Sequence, residues 1–155
     1  MKNRIAILLT ALLIFIGAAT AASAQSVSVS GKMGPAKRGG VTKGTVTMNI
    51  PGGLHANSNR PGSEYAIPTT LKVSAKGATV NGVTYPAGRS RKFSFSDDTL
   101  NVYEGSKTFS FNVKVPANFK GKVLNITAVV RYQACTNEVC YAPASKTVRI
   151  TANVN

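Results

Sequence analysis

Histidine occurs once, at position 55, tryptophan is absent and cysteine appears only twice. Each scarcity removes a class of function. Two cysteines exclude the multi-bridge framework of small secreted domains. A zinc site needs four ligands, or three and a water; beyond the cysteine pair the chain offers only His55, remote in sequence and without a neighbouring ligand, so no metal is expected. No Ser, Cys or carboxylate stands in a recognisable relation to His55, which reads as a loop or strand-end residue satisfied by the backbone. Acidic residues number five against 19 Lys and Arg. Two of them, Asp97 and Asp98, read as the opening of a turn, because the oxygen-ligand spacing of a calcium loop is missing around them. The basic residues are dispersed and no aromatic ladder interleaves them, so nucleic-acid binding is not expected. Nothing in the composition implies a cofactor.

What the chain does have begins at its amino terminus. Lys2 and Arg4 precede an uncharged apolar run, Ile5 to Ile16, and a small-residue stretch ends in Ala22-Ser23-Ala24. That pattern predicts a secretory signal peptide over residues 1–24, cleaved before Gln25. The run is shorter than the roughly 20 residues that span a bilayer. The expected mature chain, 25–155, is therefore one exported domain with no membrane span, and a bacterial periplasm is the expected compartment. It keeps 17 basic and five acidic residues, a charge of +12. Such a field favours acidic partners and anionic envelope polymers.

After residue 25 the apolar pattern has period two, most clearly in Phe109-Ser110-Phe111-Asn112-Val113-Lys114-Val115, and no capped 3.6-residue stripe appears. Similar stretches at 27–33, 44–50, 67–75, 79–85, 92–95, 123–132 and 147–154 are separated by turn formers such as Pro51-Gly52-Gly53, Asn81-Gly82, Glu104-Gly105-Ser106 and Pro116-Ala117-Asn118. Seven to nine short antiparallel strands predict an all-β fold, an immunoglobulin-like antiparallel β-sandwich, with a small closed barrel as the alternative. Phe93 and Phe95 alternate as an inward strand face would require. The Gly34–Gly40 stretch reads as an exposed loop.

The cysteines, Cys135 and Cys140, are separated by Thr136-Asn137-Glu138-Val139, a length that suits a hairpin loop between strands. Across such a loop their Cα atoms are expected about 4.5 to 5.5 Å apart, within disulfide range. A ring that small stabilises by only about 2 kcal/mol, against roughly 4 to 5 for a bridge closing a hundred residues. Stability alone is a weak reason for the placement, so redox exchange at an accessible loop tip and a permanent loop clip both stand as readings.

Tyr132-Gln133-Ala134-Cys135, the short loop, then Cys140-Tyr141-Ala142-Pro143 and a closing strand Lys146-Thr147-Val148 resemble the amino-terminal periplasmic domain of the thiol:disulfide interchange protein DsbD. Upstream, His55-Ala56-Asn57-Ser58, Pro61, Tyr65-Ala66-Ile67-Pro68-Thr69, Tyr85-Pro86-Ala87-Gly88 and Val102-Tyr103-Glu104-Gly105 extend the resemblance, over roughly 44–152. It departs in having four residues between the cysteines, where some members have five, and a single Pro143 where they have two prolines. The resemblance implies an immunoglobulin-like sandwich whose cysteine pair takes electrons from a thioredoxin-like protein and passes them to oxidised exported proteins. Family members usually continue into a membrane electron carrier, so that carrier is expected on a separate polypeptide. The resemblance favours Cys140 as the sulfur that is attacked and Cys135 as its internal partner. It also implies an aromatic loop over the disulfide, where Phe93 or Phe95 falls. Tyr132 and Tyr141 flank the pair as possible shields or as cross-strand packing. Arg131 would favour a thiolate if its side chain reached the loop tip, and Glu138 would oppose one. The reading from a different class is a non-catalytic basic β-sandwich that binds a protein or anionic envelope partner.

Overall fold

A computed structural model describes residues 26–155; the expected signal peptide lies outside the described residues. Eleven strands form: β1 (Ser28–Met33), β2 (Val41–Ile50), β3 (His55–Asn57), β4 (Thr70–Ala75), β5 (Thr79–Thr84), β6 (Arg89–Lys92), β7 (Thr99–Tyr103), β8 (Gly105–Lys114), β9 (Val123–Tyr132), β10 (Ala134–Cys135) and β11 (Ala144–Asn153). There is no helix among the described residues, hence none long and apolar enough to cross a membrane. The strands pair antiparallel in three open sheets, ordered β1-β2-β8-β5, β10-β3-β7-β6 and β11-β9-β4. This is the expected immunoglobulin-like sandwich, and the open sheets rule out the closed-barrel alternative.

The strict alternation of β8 and β9 explains the layering. Phe109, Phe111 and Val113 on β8 and Val46 and Met48 on β2 are buried, as are Leu124, Ile126, Ala128 and Val130 on β9 and Ile150 on β11, all in one core. Their polar neighbours face out, as period two demands. Gly44, in the middle of β2, is the register partner of Phe111, and the Phe111 ring fills the space where a Cβ would sit. Any side chain there would displace the ring from the core.

The strand count exceeds the expected seven to nine because three short strands, β3, β7 and β10, form outside the expected stretches, all in one small sheet. At Gly105 the chain turns through a left-handed backbone conformation, φ +64°, so β7 ends in one sheet and β8 begins in another. After Tyr132 the chain likewise leaves β9, and β10 joins the sheet of β3. Asn81-Gly82 is not a turn but a bulge within β5, with Gly82 at φ 61°. The expected strand at 92–95 ends instead at Lys92. Nor is the Gly34–Gly40 stretch wholly exposed. Ala36 is buried and bridges Val154, and Arg38 donates to the carbonyls of Phe119 at 2.8 Å and Gly121 at 3.0 Å. Two loops, 34–40 and 115–122, and the residues just after β11 are tied together there.

Candidate functional site

The small sheet β10-β3-β7-β6 has two unlike faces. Ala56 and Tyr103 turn inward and join the main core, whereas Val102 and Leu100 turn outward and form a second, smaller apolar cluster with Phe93. Register determines what shares that outer face: Cys135 is opposite His55 and Ala134 is opposite Ala56. Directly opposed residues project to the same side and alternate along each strand, so Cys135, His55, Gln133 and Asn57 all belong to the outer face.

The cysteines are joined by a disulfide with Cα atoms 4.0 Å apart, closer than the hairpin expectation. They pair as an isolated antiparallel bridge, reinforced by Thr136 N–H donating to the Val139 carbonyl at 2.8 Å and Tyr141 N–H to the Ala134 carbonyl at 2.9 Å. At the tip, Thr136 Oγ1 accepts from the backbone N–H groups of Glu138 and Val139 at 3.2 and 3.1 Å. The loop is thus a shaped turn with its own hydrogen bonds. The two sulfur-bearing residues differ sharply: Cys135 has no exposed surface, while Cys140 is exposed.

His55, the cross-strand neighbour of Cys135, begins a stack of three rings. The His55 and Phe93 centroids are 4.1 Å apart at 13°, and Phe93 and Phe95 are 5.2 Å apart at 11°. Phe93 is buried but Phe95 is 38% exposed, so the inward alternation expected of the two is not what forms. They lie beyond the end of β6, where the chain is no longer a strand and both rings can turn to the same side. His55 also departs from expectation. It is 2% exposed, and its Nε2 has no hydrogen-bond partner where backbone satisfaction was expected. Burial holds the imidazole below its ordinary pKa; Glu104 opposes that effect and Arg91 adds to it.

Beside Cys140 is a cleft of about 410 Å³ whose lining includes Asn57, Phe95, Asp97, Asp98 and Gln133. A chain of amides crosses its floor. Asn57 Nδ2 donates to the Ile67 carbonyl and to Gln133 Oε1, both at 3.1 Å, and Gln133 Nε2 donates to the carbonyl of Tyr141, next to Cys140, at 3.2 Å. These bonds fix the orientation of both amides, since each nitrogen faces oxygen acceptors. Asn57 Oδ1 is left buried without a donor.

The remaining candidates fall elsewhere. Tyr132 is buried in the main core, where desolvation raises its hydroxyl pKa. Tyr141, next to Cys140 and so projecting to the opposite side, lines a separate groove with Tyr132 and Ala134. Arg131 is exposed on β9 between Ser145 and Thr70. Neither tyrosine faces the cleft of Cys140, and Arg131 does not lie along it. Gln133 and Asn57 were missed. Gln133, two residues before Cys135, was accessible from period two alone; Asn57 required the β3–β10 pairing. Among the described residues no group of three His, Cys, Asp or Glu side chains gathers to hold a metal ion.

Comparison with known proteins adds a family. The model for the thiol:disulfide interchange protein DsbD, N-terminal, matches residues 26–152, a longer span than the motifs suggested. The amino-terminal domain of DsbD from Neisseria meningitidis, solved in the reduced form, is 19% identical, with 82% of this chain and 85% of that one covered and a TM-score of 0.49. The amino-terminal periplasmic domain of ScsB from Proteus mirabilis is 15% identical with a TM-score of 0.55, a likeness of fold. It covers 79% of this chain but 45% of that one, so this chain spans less than half of that structure. No curated protein sequence matches.

Proposed function

The chain belongs to the family of the DsbD amino-terminal domain, and on that premise we propose that it is an exported thiol:disulfide exchange domain, relaying electrons between a thioredoxin-like partner and oxidised envelope proteins through Cys135 and Cys140. DsbD amino-terminal domains are periplasmic, and the proposal includes that compartment and a leader over residues 1–24. The observation that carries the reading is the inequality of the two cysteines, one exposed beside a cleft and one fully buried.

Exchange proceeds by in-line attack of a thiolate on one sulfur while the other leaves. Only Cys140 offers a partner a route of approach. A reduced partner's thiolate forms a bond to Cys140 Sγ, the Cys140–Cys135 bond breaks, and Cys135 leaves as a thiolate that takes up a proton. The partner's second thiolate then attacks its own sulfur in the mixed disulfide. Cys140 is released, the partner is oxidised and both cysteines here are reduced. Two electrons and two protons have moved. The reverse sequence reduces a client disulfide. Full burial of Cys135 beside His55 keeps water from the leaving sulfur, and the amide chain from Asn57 through Gln133 holds the backbone beside Cys140. Phe95 borders the approach and acts as the cap over the exposed sulfur.

Equilibration with a graded glutathione or dithiothreitol buffer, followed by thiol trapping, tests the reading. A relay titrates in the range of thioredoxin-like couples, whereas a structural clip resists reduction to below about −300 mV. The second outcome would leave a basic β-sandwich that binds an envelope partner, its disulfide fastening a loop.

A further inference from the structure

The charge around Cys140 runs against the charge of the domain. Residues 26–155 hold 17 Lys and Arg and five Asp and Glu, yet four of the five acids lie at this one end. Asp97 and Asp98 line the cleft beside Cys140, Glu64 stands between the lining residues Ser63 and Tyr65, and Glu138 is at the tip of the cysteine hairpin. All four are exposed. The fifth, Glu104, is bound to Arg91 at 2.6 Å, with Arg89 at 3.9 Å. Those are the ion pairs of the described residues, so none of the four acids near the cleft is neutralised by one. Lys92, the basic residue nearest Asp97 in sequence, directs its ammonium to the backbone carbonyl of Asp97.

A second observation is independent of the carboxylates. Asn57 lines the same cleft, is 1% exposed, and has its amide nitrogen committed to two acceptors while Oδ1 has no donor. An unpaired buried acceptor costs about 1–3 kcal/mol, a cost removed when a donor arrives. Carboxylates and a spare amide oxygen both ask for N–H groups, preferably cationic ones. At physiological ionic strength charges farther than about 8 Å are largely screened. The rim of the cleft, not the dispersed lysines, therefore governs what a thiolate meets in its final approach.

We infer that the cleft beside Cys140 receives a lysine or arginine side chain carried by the redox partner next to its reactive cysteine, with Asp97 and Asp98 as the charge and Asn57 Oδ1 as the acceptor. This rests on the exchange reading and names the partner chemistry that reading requires. It reverses the acidic partner that the overall charge suggests.

The test uses three acetylated, amidated tetrapeptides with one cysteine each, carrying two lysines, two alanines or two glutamates. Each reduces the oxidised protein under pseudo-first-order conditions, and its rate is divided by its rate with neutral 2-hydroxyethyl disulfide to remove differences in intrinsic thiol reactivity. The expected order is lysine, alanine, glutamate, with roughly tenfold between the extremes at low salt, the size of two surface charge contacts. The ratio should shrink at 0.5 M salt and approach one in the Asp97→Asn/Asp98→Asn variant. A lysine peptide no faster than the alanine peptide overturns the inference while leaving exchange intact, as does a ratio that survives in the double variant. If no peptide at any excess forms a mixed disulfide, the exchange reading itself fails and takes this inference with it.

Discussion

Phe109 is fully buried between Tyr85 and Tyr103, whose rings meet it edge-on at 5.6 and 5.8 Å, whereas Phe93 and Phe95 lie flat on one another and on His55. In the first triad every polar end is used. Tyr85 Oη accepts from the Leu71 N–H at 3.0 Å, and Tyr103 donates to Asn59 Oδ1 at 2.7 Å. In the second, His55 Nε2 is buried and unpaired and Phe95 reaches solvent. The first joins the sheets around the main core; the second begins at His55, the cross-strand neighbour of Cys135, and includes Phe93 of the small satellite cluster. A buried polar atom left without a partner costs stability, so the second triad is not what an optimally stable fold would keep. Departures of this kind concentrate where function is carried out.

The comparison breaks most directly at its first member. Phe109→Ala should cost about 3–5 kcal/mol, the usual range for emptying a core aromatic site, measured by urea unfolding. Phe95→Ala should cost under about 1 kcal/mol. Equal losses would mean that both triads hold the fold.

Next in size is the bridge whose Cys135 neighbours His55. Reduction of Cys135–Cys140 should lower stability by about 2 kcal/mol, the loop-entropy contribution of a six-residue ring, with the far-UV circular dichroism unchanged. Unfolding on reduction at room temperature would make the disulfide a structural staple.

Acid sharpens the contrast further. Because burial lowers the His55 pKa in the folded state, the unfolded chain binds the extra proton first. The stability contributed by neutral His55 is full above about pH 6.5, the unfolded value, and is lost as pH falls from there toward the folded value. His55→Phe should remove that dependence and be no less stable at pH 7, since an apolar ring relieves the unpaired nitrogen. Unfolding curves of both proteins between pH 5 and 8 would show it; a dependence unchanged in the variant would assign the effect to another group.

The smallest expected stability change carries a kinetic signature. Phe95→Ala, which opens the cleft beside Cys140, should speed reduction by dithiothreitol roughly threefold, equivalent to about 0.65 kcal/mol of barrier. An unchanged rate would show that the ring does not guard the sulfur.

Strands with strict alternation, such as β8 and β9, were legible because period two states directly which residues are buried. The cysteine hairpin was legible for the same reason, together with its loop length. What was not legible depends on pairing between distant segments. Nothing local in His55-Ala56-Asn57 says that it will lie against Ala134-Cys135, yet that register alone places His55 and Asn57 at the site. Alternation does not place Phe93 and Phe95, because they lie past the end of β6, where the chain no longer has a strand's period. The ties of Ala36 and Arg38 have no local signal because their partners, Val154 and the carbonyls at 119 and 121, lie more than 80 residues away.

The inequality of the two cysteines in exchange is measured by trapping with a monothiol thioredoxin-like protein. Cys135→Ser leaves exposed Cys140 free to hold a mixed disulfide, and non-reducing electrophoresis should show a stable adduct. Cys140→Ser leaves only the buried sulfur and should give little. An adduct confined to Cys140→Ser, or none in either variant, would overturn that inequality.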